Sequence, residues 1–331
     1  MSPRELDEDD VRVRPGRSSR PRTRTRPAHE DATPADVLSV DRGRYRLRTA
    51  EGTLLTAVRA RELGRRGVVV GDRVAIVGDR AGGPDALARI VRLEPRTSLL
   101  RRTPDDSDPV ERAVVANAEM LVVVTALADP VPRPRLVDRC LVAAYDGGLA
   151  PLLCLTKSDL ADPAELLALY APLGVEAVVT GPGPDDAGVQ ELRERLAGRT
   201  SVLFGQSGVG KSTLVNRLVP DAFRAVGEVT GVGKGRHTSS SAVALPLPGG
   251  GTVVDTPGVR SFGLGAVTAD RVLAAFPDLA AGAAYCPPGC PHLGVTVSCT
   301  LDAWAATGGA STARLDSLRR LLVALNEAAP P

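Results

Sequence analysis

The stretch TSVLFGQSGVGKSTL, Thr200 to Leu214, restricts the possible folds more than any other part of this chain. A short β-branched and apolar run leads into a glycine-rich turn, and a helical pattern begins at Lys211. Gly205, Gly210, Lys211 and Ser212 satisfy G-x-x-x-x-G-K-[ST]. In that loop, backbone N–H groups and the lysine cradle nucleotide phosphates while the serine hydroxyl binds Mg²⁺. Ser207, Gly208, Val209 and Thr213 complete the expected phosphate contacts.

At 331 residues and 43% hydrophobic content, the chain can fill the cores of two or three domains. The net charge is only +2, so nucleic-acid binding has to be argued from where the charge sits. Five cysteines without an even framework exclude a disulfide scaffold, and no apolar run reaches membrane-spanning length. The start, MSPRELDEDD, is too acidic and polar for a signal peptide, so a soluble, cytoplasmic, monomeric chain with no membrane partner is expected. Of 41 basic residues only Lys157, Lys211 and Lys234 are lysine. Lysine is a point charge and arginine a planar fork, so two lysines inside nucleotide motifs are suggestive.

Residues 1–33 carry an acidic cluster, then Arg12, Arg14, Arg17, Arg20, Arg22, Arg24 and Arg26 among Ser, Thr and Pro. Low hydrophobicity and many prolines predict a disordered arginine-rich tail, either an RNA-binding arm or a solubilising segment. Residues 34–97 hold five short β-type runs separated by turn residues, which suggests an all-β oligonucleotide-binding (OB) barrel. In RYRLRTA, alternation puts Arg44, Arg46 and Arg48 on one face and Tyr45 and Leu47 on the other. That ladder suits a phosphate backbone, and equally a solvated strand face.

Residues 98–118 read as a connector turning at its prolines. Strands at 120–127, 150–159 and 175–181 then alternate with helices from Pro134 to Tyr145, Pro163 to Leu173 and Val189 to Leu196, up to the phosphate-loop strand. This pattern predicts an α/β layer with a mainly parallel sheet, the domain running over 98–264.

TKSD, Thr156 to Asp159, closes one of these strands and resembles the N-K-x-D element of GTPases. There the Asp159 carboxylate accepts from guanine N1–H and the 2-amino group, Lys157 packs on the base, and Thr156 stands in place of asparagine. Thr180 in VVTG resembles the next base-contacting loop. GRHTSS, Gly235 to Ser240, offers Thr238 as a switch threonine for Mg²⁺. TVVDTPG supplies Asp255, which reaches Mg²⁺ through water, and Gly258, whose N–H senses a γ-phosphate. GTPases ordinarily place the phosphate loop first and the base-reading loops last; here the order is circularly permuted, which preserves the neighbours of each strand.

Cys286, Cys290, His292 and Cys299 form C-x₃-C-x-H-x₆-C, a donor set suited to one tetrahedral Zn²⁺ in a small C-terminal domain, 265–331. Leu315, Leu318, Leu322 and Leu325 make a helical stripe that reads as core packing ahead of a partner groove.

Barrel, permuted GTPase domain and Cys/His cluster, in that order, resemble the RsgA (YjeQ) family over residues 34–326, carried by GQSGVGKSTLVN, GRHTSS and DTPGVRSFGL. Departures are the threonine of TKSD, Ser239 and Ser240 where threonines are usual, and cluster spacings that differ by one residue. The resemblance implies a GTP hydrolase stimulated by the small (30S) ribosomal subunit in its late maturation, with GTP/GDP, Mg²⁺ and zinc bound and 16S rRNA as partner. Lys211, Thr238 and His237 are the expected catalytic residues, although His237 serves equally as a structural switch residue. Val259 follows D-T-P-G and cannot orient water, so slow intrinsic turnover is expected. The alternatives are an RNA-binding assembly module with guanine nucleotide only as a regulatory ligand, and a permuted GTPase with another client.

Overall fold

The computed structural model describes residues 29–63, 67–83, 86–102, 112–183, 186–220, 242–256, 264, 267–294 and 298–326. The arginines of the tail, the GRHTSS segment with Thr238 and His237, Lys234, Gly258 and Val259 lie outside the described residues. The chain divides into residues 1–30 and 31–331, and all the described strands and helices belong to the second unit.

The five N-terminal runs are all strands: β1 (Thr33–Asp41), β2 (Arg44–Thr49), β3 (Leu54–Arg59), β4 (Arg73–Gly78) and β5 (Leu87–Leu93). They follow the order β1-β2-β3-β5-β4, and a β1–β4 pairing closes the barrel. Alternation puts Val37, Leu47, Leu55, Ile76 and Ile90 inside a core of the barrel's own. On β2 the same alternation buries Tyr45 and Leu47 and leaves Arg44 exposed, with Arg46 and Arg48 half-buried on the other face.

The segment read as a connector holds more structure than its prolines suggested. β6 (Leu99–Arg102) and β7 (Arg112–Ala116) form an antiparallel ribbon, and Val70 of the barrel bridges to Val115 on it. At that junction a Cβ on Gly71, whose φ is +84°, would lie 2.1 Å from the Ala116 carbonyl oxygen. Only glycine permits so close an approach.

The α/β layer contains β8 (Met120–Ala126), β9 (Ala150–Thr156), β10 (Glu176–Val179), β11 (Thr200–Phe204), β12 (Val243–Pro246) and β13 (Thr252–Asp255). Their order is β10-β9-β8-β11-β13-β12. Every pairing is parallel except that of β12 with β13, as the alternation of strands and helices predicts. β12 also meets β1 at Val243 and Ser39, which joins barrel and layer into one sheet. Helices α1 (Pro134–Gly147), α2 (Ala164–Tyr170), α3 (Ala187–Leu196) and α4 (Lys211–Leu218) connect the strands. The central strands are apolar on both faces, and all seven residues of β8 are buried.

Four helices follow: α5 (Ala269–Leu273), α6 (Pro277–Ala283), α7 (Leu301–Ala306) and α8 (Thr312–Asn326). Leu315, Leu318, Leu322 and Leu325 are buried in the same core as the α/β layer, so the stripe is packing. Arg320 of α8 fixes this docking. Its Nε donates to both carboxylate oxygens of Asp138 on α1, at 3.2 and 3.1 Å, and its guanidinium lies 5.2 Å from the centre of the Tyr170 ring.

Burial pushes the Asp138 carboxyl above its ordinary value, and Arg320 pulls it back down. Replacing Arg320 with Met is therefore expected to cost about 3–5 kcal/mol at neutral pH, because it strands a buried carboxylate. A folded-state pKa raised above the unfolded one means that stability falls as pH climbs between the two. Loss of Arg320 raises the folded-state Asp138 pKa further, so the deficit of R320M against the parent should shrink as pH drops from the variant's folded-state value toward the parent's. Denaturant midpoints measured at neutral and acidic pH check the sign.

Candidate nucleotide site and metal cluster

β11 delivers the chain to Gly205, where a Cβ would lie 2.7 Å from the Val124 carbonyl oxygen and 2.8 Å from Val209 Cγ2. The loop then turns through Gly208 and Gly210, with φ of +84° and +87°. Gly210 caps α4 without a side-chain hydrogen bond. The first-turn N–H groups of α4 and its positive end therefore face outward, an arrangement suited to phosphate. Ser207, Ser212 and Thr213 are exposed beside them. Lys211 Nζ forms an ion pair with Asp255 Oδ1 at the end of β13. The phosphate-binding lysine and the D-x-x-G carboxylate thus stand side by side, although 44 positions separate them.

The base-reading loops arrive from β9 and β10, across β8 from the phosphate-loop strand. Thr156 is buried at the end of β9 and its hydroxyl donates to the Val209 carbonyl at 2.7 Å. The threonine that departs from N-K-x-D thus fastens this loop to the phosphate loop. Lys157 follows with φ of +61°, its ammonium donating to the Asp129 carbonyl, and Asp159 is exposed. The buried Thr180 is held on both sides, its amide donating to Leu155 at 2.7 Å and its carbonyl accepting from Ser158 at 3.2 Å. Within the described residues the predicted phosphate and base loops therefore lie at the carboxyl ends of β9, β10 and β11, where open α/β sheets bind ligands.

The second cluster lies between α6 and α7. The candidate ligand atoms of Cys286, Cys290, His292 and Cys299 are all within 4.8 Å of one another. Left-handed turns at Gly289 and His292 bring them together. His292 Nδ1 is buried without a hydrogen-bond partner, as expected of a nitrogen reserved for a metal ion. Burial holds the imidazole below its usual pKa, which keeps its lone pair available. For Cys286 burial works upward, but hydrogen bonds from Thr300, Cys299 and Cys290 together outweigh it and lower the thiol; the Thr300 amide donates to its sulfur at 3.3 Å. Three thiols and an imidazole fit the soft tetrahedral preference of zinc. Arg319 of α8 braces the cluster from outside, donating to the His292 carbonyl at 3.3 Å and to both oxygens of Asp302 at 2.8 and 2.6 Å.

Residues 93–265 match the model of the RsgA GTPase family. The chain is also 37% identical, over 263 residues, to the small ribosomal subunit biogenesis GTPase RsgA of Gemmatimonas aurantiaca, covering 77% of this chain and 83% of that protein. The chain belongs to the RsgA GTPase family. RsgA of Pseudomonas fluorescens is 43% identical over 218 residues, 63% of this chain and 61% of that relative, so the match spans about three-fifths of its length. Among solved structures, YjeQ from Thermotoga maritima superposes with a TM-score of 0.65 at 24% identity, covering 89% of this chain and 99% of that one. YloQ, a circularly permuted GTPase, gives 0.65 at 20% identity, covering 93% and 100%. These two likenesses establish the fold, and RsgA membership brings guanine nucleotide with it.

Sequence reasoning missed several residues that build the sites: Asp129, Asp186, Arg217, Thr300 and Arg319. Asp186 acts locally as the cap of α3; the other four act through contacts more distant in sequence, and no motif or periodicity marks those roles.

Proposed function

We propose that this chain hydrolyses GTP in the late maturation of the small ribosomal subunit, as a cytoplasmic monomer. The barrel and the Cys/His domain bind 16S rRNA. The observation that carries the nucleotide reading is the Thr156 bond to Val209, which makes the base loop and the phosphate loop one pocket. The names of the relatives carry the choice of partner.

In this reading Asp159 accepts from the guanine N1–H and 2-amino groups, Lys157 covers the base, and the loop of Thr180 borders it. Water attacks the γ-phosphorus in line, and Lys211 with the amides from Gly205 to Thr213 takes up charge on the phosphate oxygens. The oxygen donors Ser212, Thr238 and Asp255, the last through water, would hold Mg²⁺, which when bound neutralises charge between the β- and γ-phosphates. Gly258 senses the γ-phosphate. Val259 cannot orient the water, so the 30S subunit orders the switch and brings His237 toward the γ-phosphate. Cys286, Cys290, His292 and Cys299 hold one zinc ion as a structural staple.

Multiple-turnover phosphate release with and without purified 30S subunits tests the proposal. Slow intrinsic turnover, stimulated by about 10²-fold or more, is expected for a site completed by its partner. Turnover that 30S subunits leave unchanged would favour an RNA-binding module that uses nucleotide only as a regulatory ligand. His237→Ala should remove most of the stimulation while leaving GTP affinity in place.

A further inference from the structure

Arg217, which belongs to none of the nucleotide motifs, spans both halves of the nucleotide site. It lies in the last turn of α4, the helix that Lys211 begins, and its side chain is only 18% exposed. Its Nη1 donates to the Gly181 carbonyl at 2.7 Å, and its Nη2 donates to the Gly183 carbonyl and lies 3.8 Å from Asp186 Oδ2. Asp186 holds the same segment from the other side. One of its oxygens accepts from the Gly181 amide, and the other accepts at 2.7 Å from Gly188, capping α3.

The stretch after Thr180 reads Gly-Pro-Gly-Pro. Its two glycines offer no side chain to the core and leave the backbone much conformational freedom. The guanidinium fork and the Asp186 carboxylate take the place of side-chain packing there. Arg217 rides on the helix that starts at the phosphate loop, so the fork ties the Thr180 loop to the element that carries Lys211.

We propose that Arg217 is a positioning residue for guanine recognition, fixing the Thr180 loop against α4 so that base pocket and phosphate loop hold one geometry. The inference rests on the reading that this loop borders the base. A lysine cannot replace the arginine, because one ammonium does not satisfy two diverging carbonyls as the planar fork does. Both terminal nitrogens of the fork are engaged by the Gly181 and Gly183 carbonyls beside the base loop, so its loss acts on binding.

The test uses the full chain carrying Arg217→Met or Arg217→Lys, with Asp159→Ala as a reference. Steady-state hydrolysis gives KM and kcat for GTP, and inorganic tripolyphosphate serves as a competitive inhibitor that engages the phosphate loop without a base. For R217M the GTP KM should rise about 10–100-fold, the effect of weakening about one hydrogen bond to a charged group in the base pocket. R217K should fall between R217M and the parent, with kcat at saturation and tripolyphosphate inhibition unchanged in both. An unchanged KM in R217M and R217K, with D159A still raising it, overturns the proposal. So does parallel loss of tripolyphosphate inhibition, which would make Arg217 a general support of α4. If D159A leaves the GTP KM unchanged, it is the guanine assignment that falls.

Discussion

Asp159→Asn should move nucleotide preference from GTP to XTP. The carboxylate offers two acceptors, matched to the N1–H and 2-amino donors of guanine. An asparagine offers one acceptor and one NH₂ donor, so its NH₂ would face the guanine amino group and strand both. Xanthine carries a carbonyl at that position and restores the match. Loss of one hydrogen bond to a charged group costs about 1.5–3 kcal/mol, and two facing NH₂ groups left unsatisfied add to that cost. A fall in GTP affinity of about 10²–10³-fold is expected, with XTP gaining by a comparable factor. Turnover of saturating XTP should approach that of GTP on the parent, since Lys211 and Asp255 sit on other elements of the fold. Competition binding with the two nucleotides decides the matter, and undiminished GTP binding by D159N would sink the assignment of the TKSD loop to the base.

Phosphate chemistry demands fixed residue types at fixed short spacing, which is why the Gly205–Ser212 loop is legible without coordinates. The same holds for the five alternating barrel strands and for the leucine stripe of α8, whose periodicity declares a buried face. What the stripe does not declare is its partner. Docking on α1 depends on Arg320 meeting Asp138, 182 positions away. Thr156 shows the same limit at the site itself. By motif it is a departure from asparagine, yet its hydroxyl meets a carbonyl 53 residues later, a role that depends on where the two strands end. The β6–β7 ribbon escaped because a four-residue strand has meaning only beside its partner, and the prolines between the two read as turns. Arg217 carries no local pattern at all, and the N-cap position of Asp186 announces the start of α3 but not its bond to the Gly181 amide.

Removal of the metal should have the other large effect, and the packing around the cluster limits how far it spreads. Between α6 and α7 the described backbone-to-backbone bonds are of the turn type, such as Cys286 to Ala283 at 2.9 Å and Cys290 to Pro287 at 3.2 Å, beside the Thr300 amide on Cys286 Sγ and Arg319 on the His292 carbonyl. On the proposed zinc reading, the four ligands supply the main tie across this loop. In small zinc modules the apparent binding free energy is about 10–16 kcal/mol, and they unfold when stripped. Here both flanks have anchors of their own. Trp304 of α7 packs so closely on Gly282 that a Cβ there would lie 2.4 Å from the indole, and the α8 leucines sit in the core shared with α1. Chelation, or Cys290→Ser, should therefore release the segment from Cys286 to Cys299 while α8 stays docked. Hydrogen exchange should rise within that segment, the melting temperature should drop, and GTP affinity should stay within about twofold, the pocket lying on a different part of the fold. If the domain binds rRNA as proposed, stimulation by 30S subunits should be lost, because that surface no longer has a fixed shape. Unchanged exchange from Cys286 to Cys299 after complete removal of zinc would mean that protein contacts alone hold the loop.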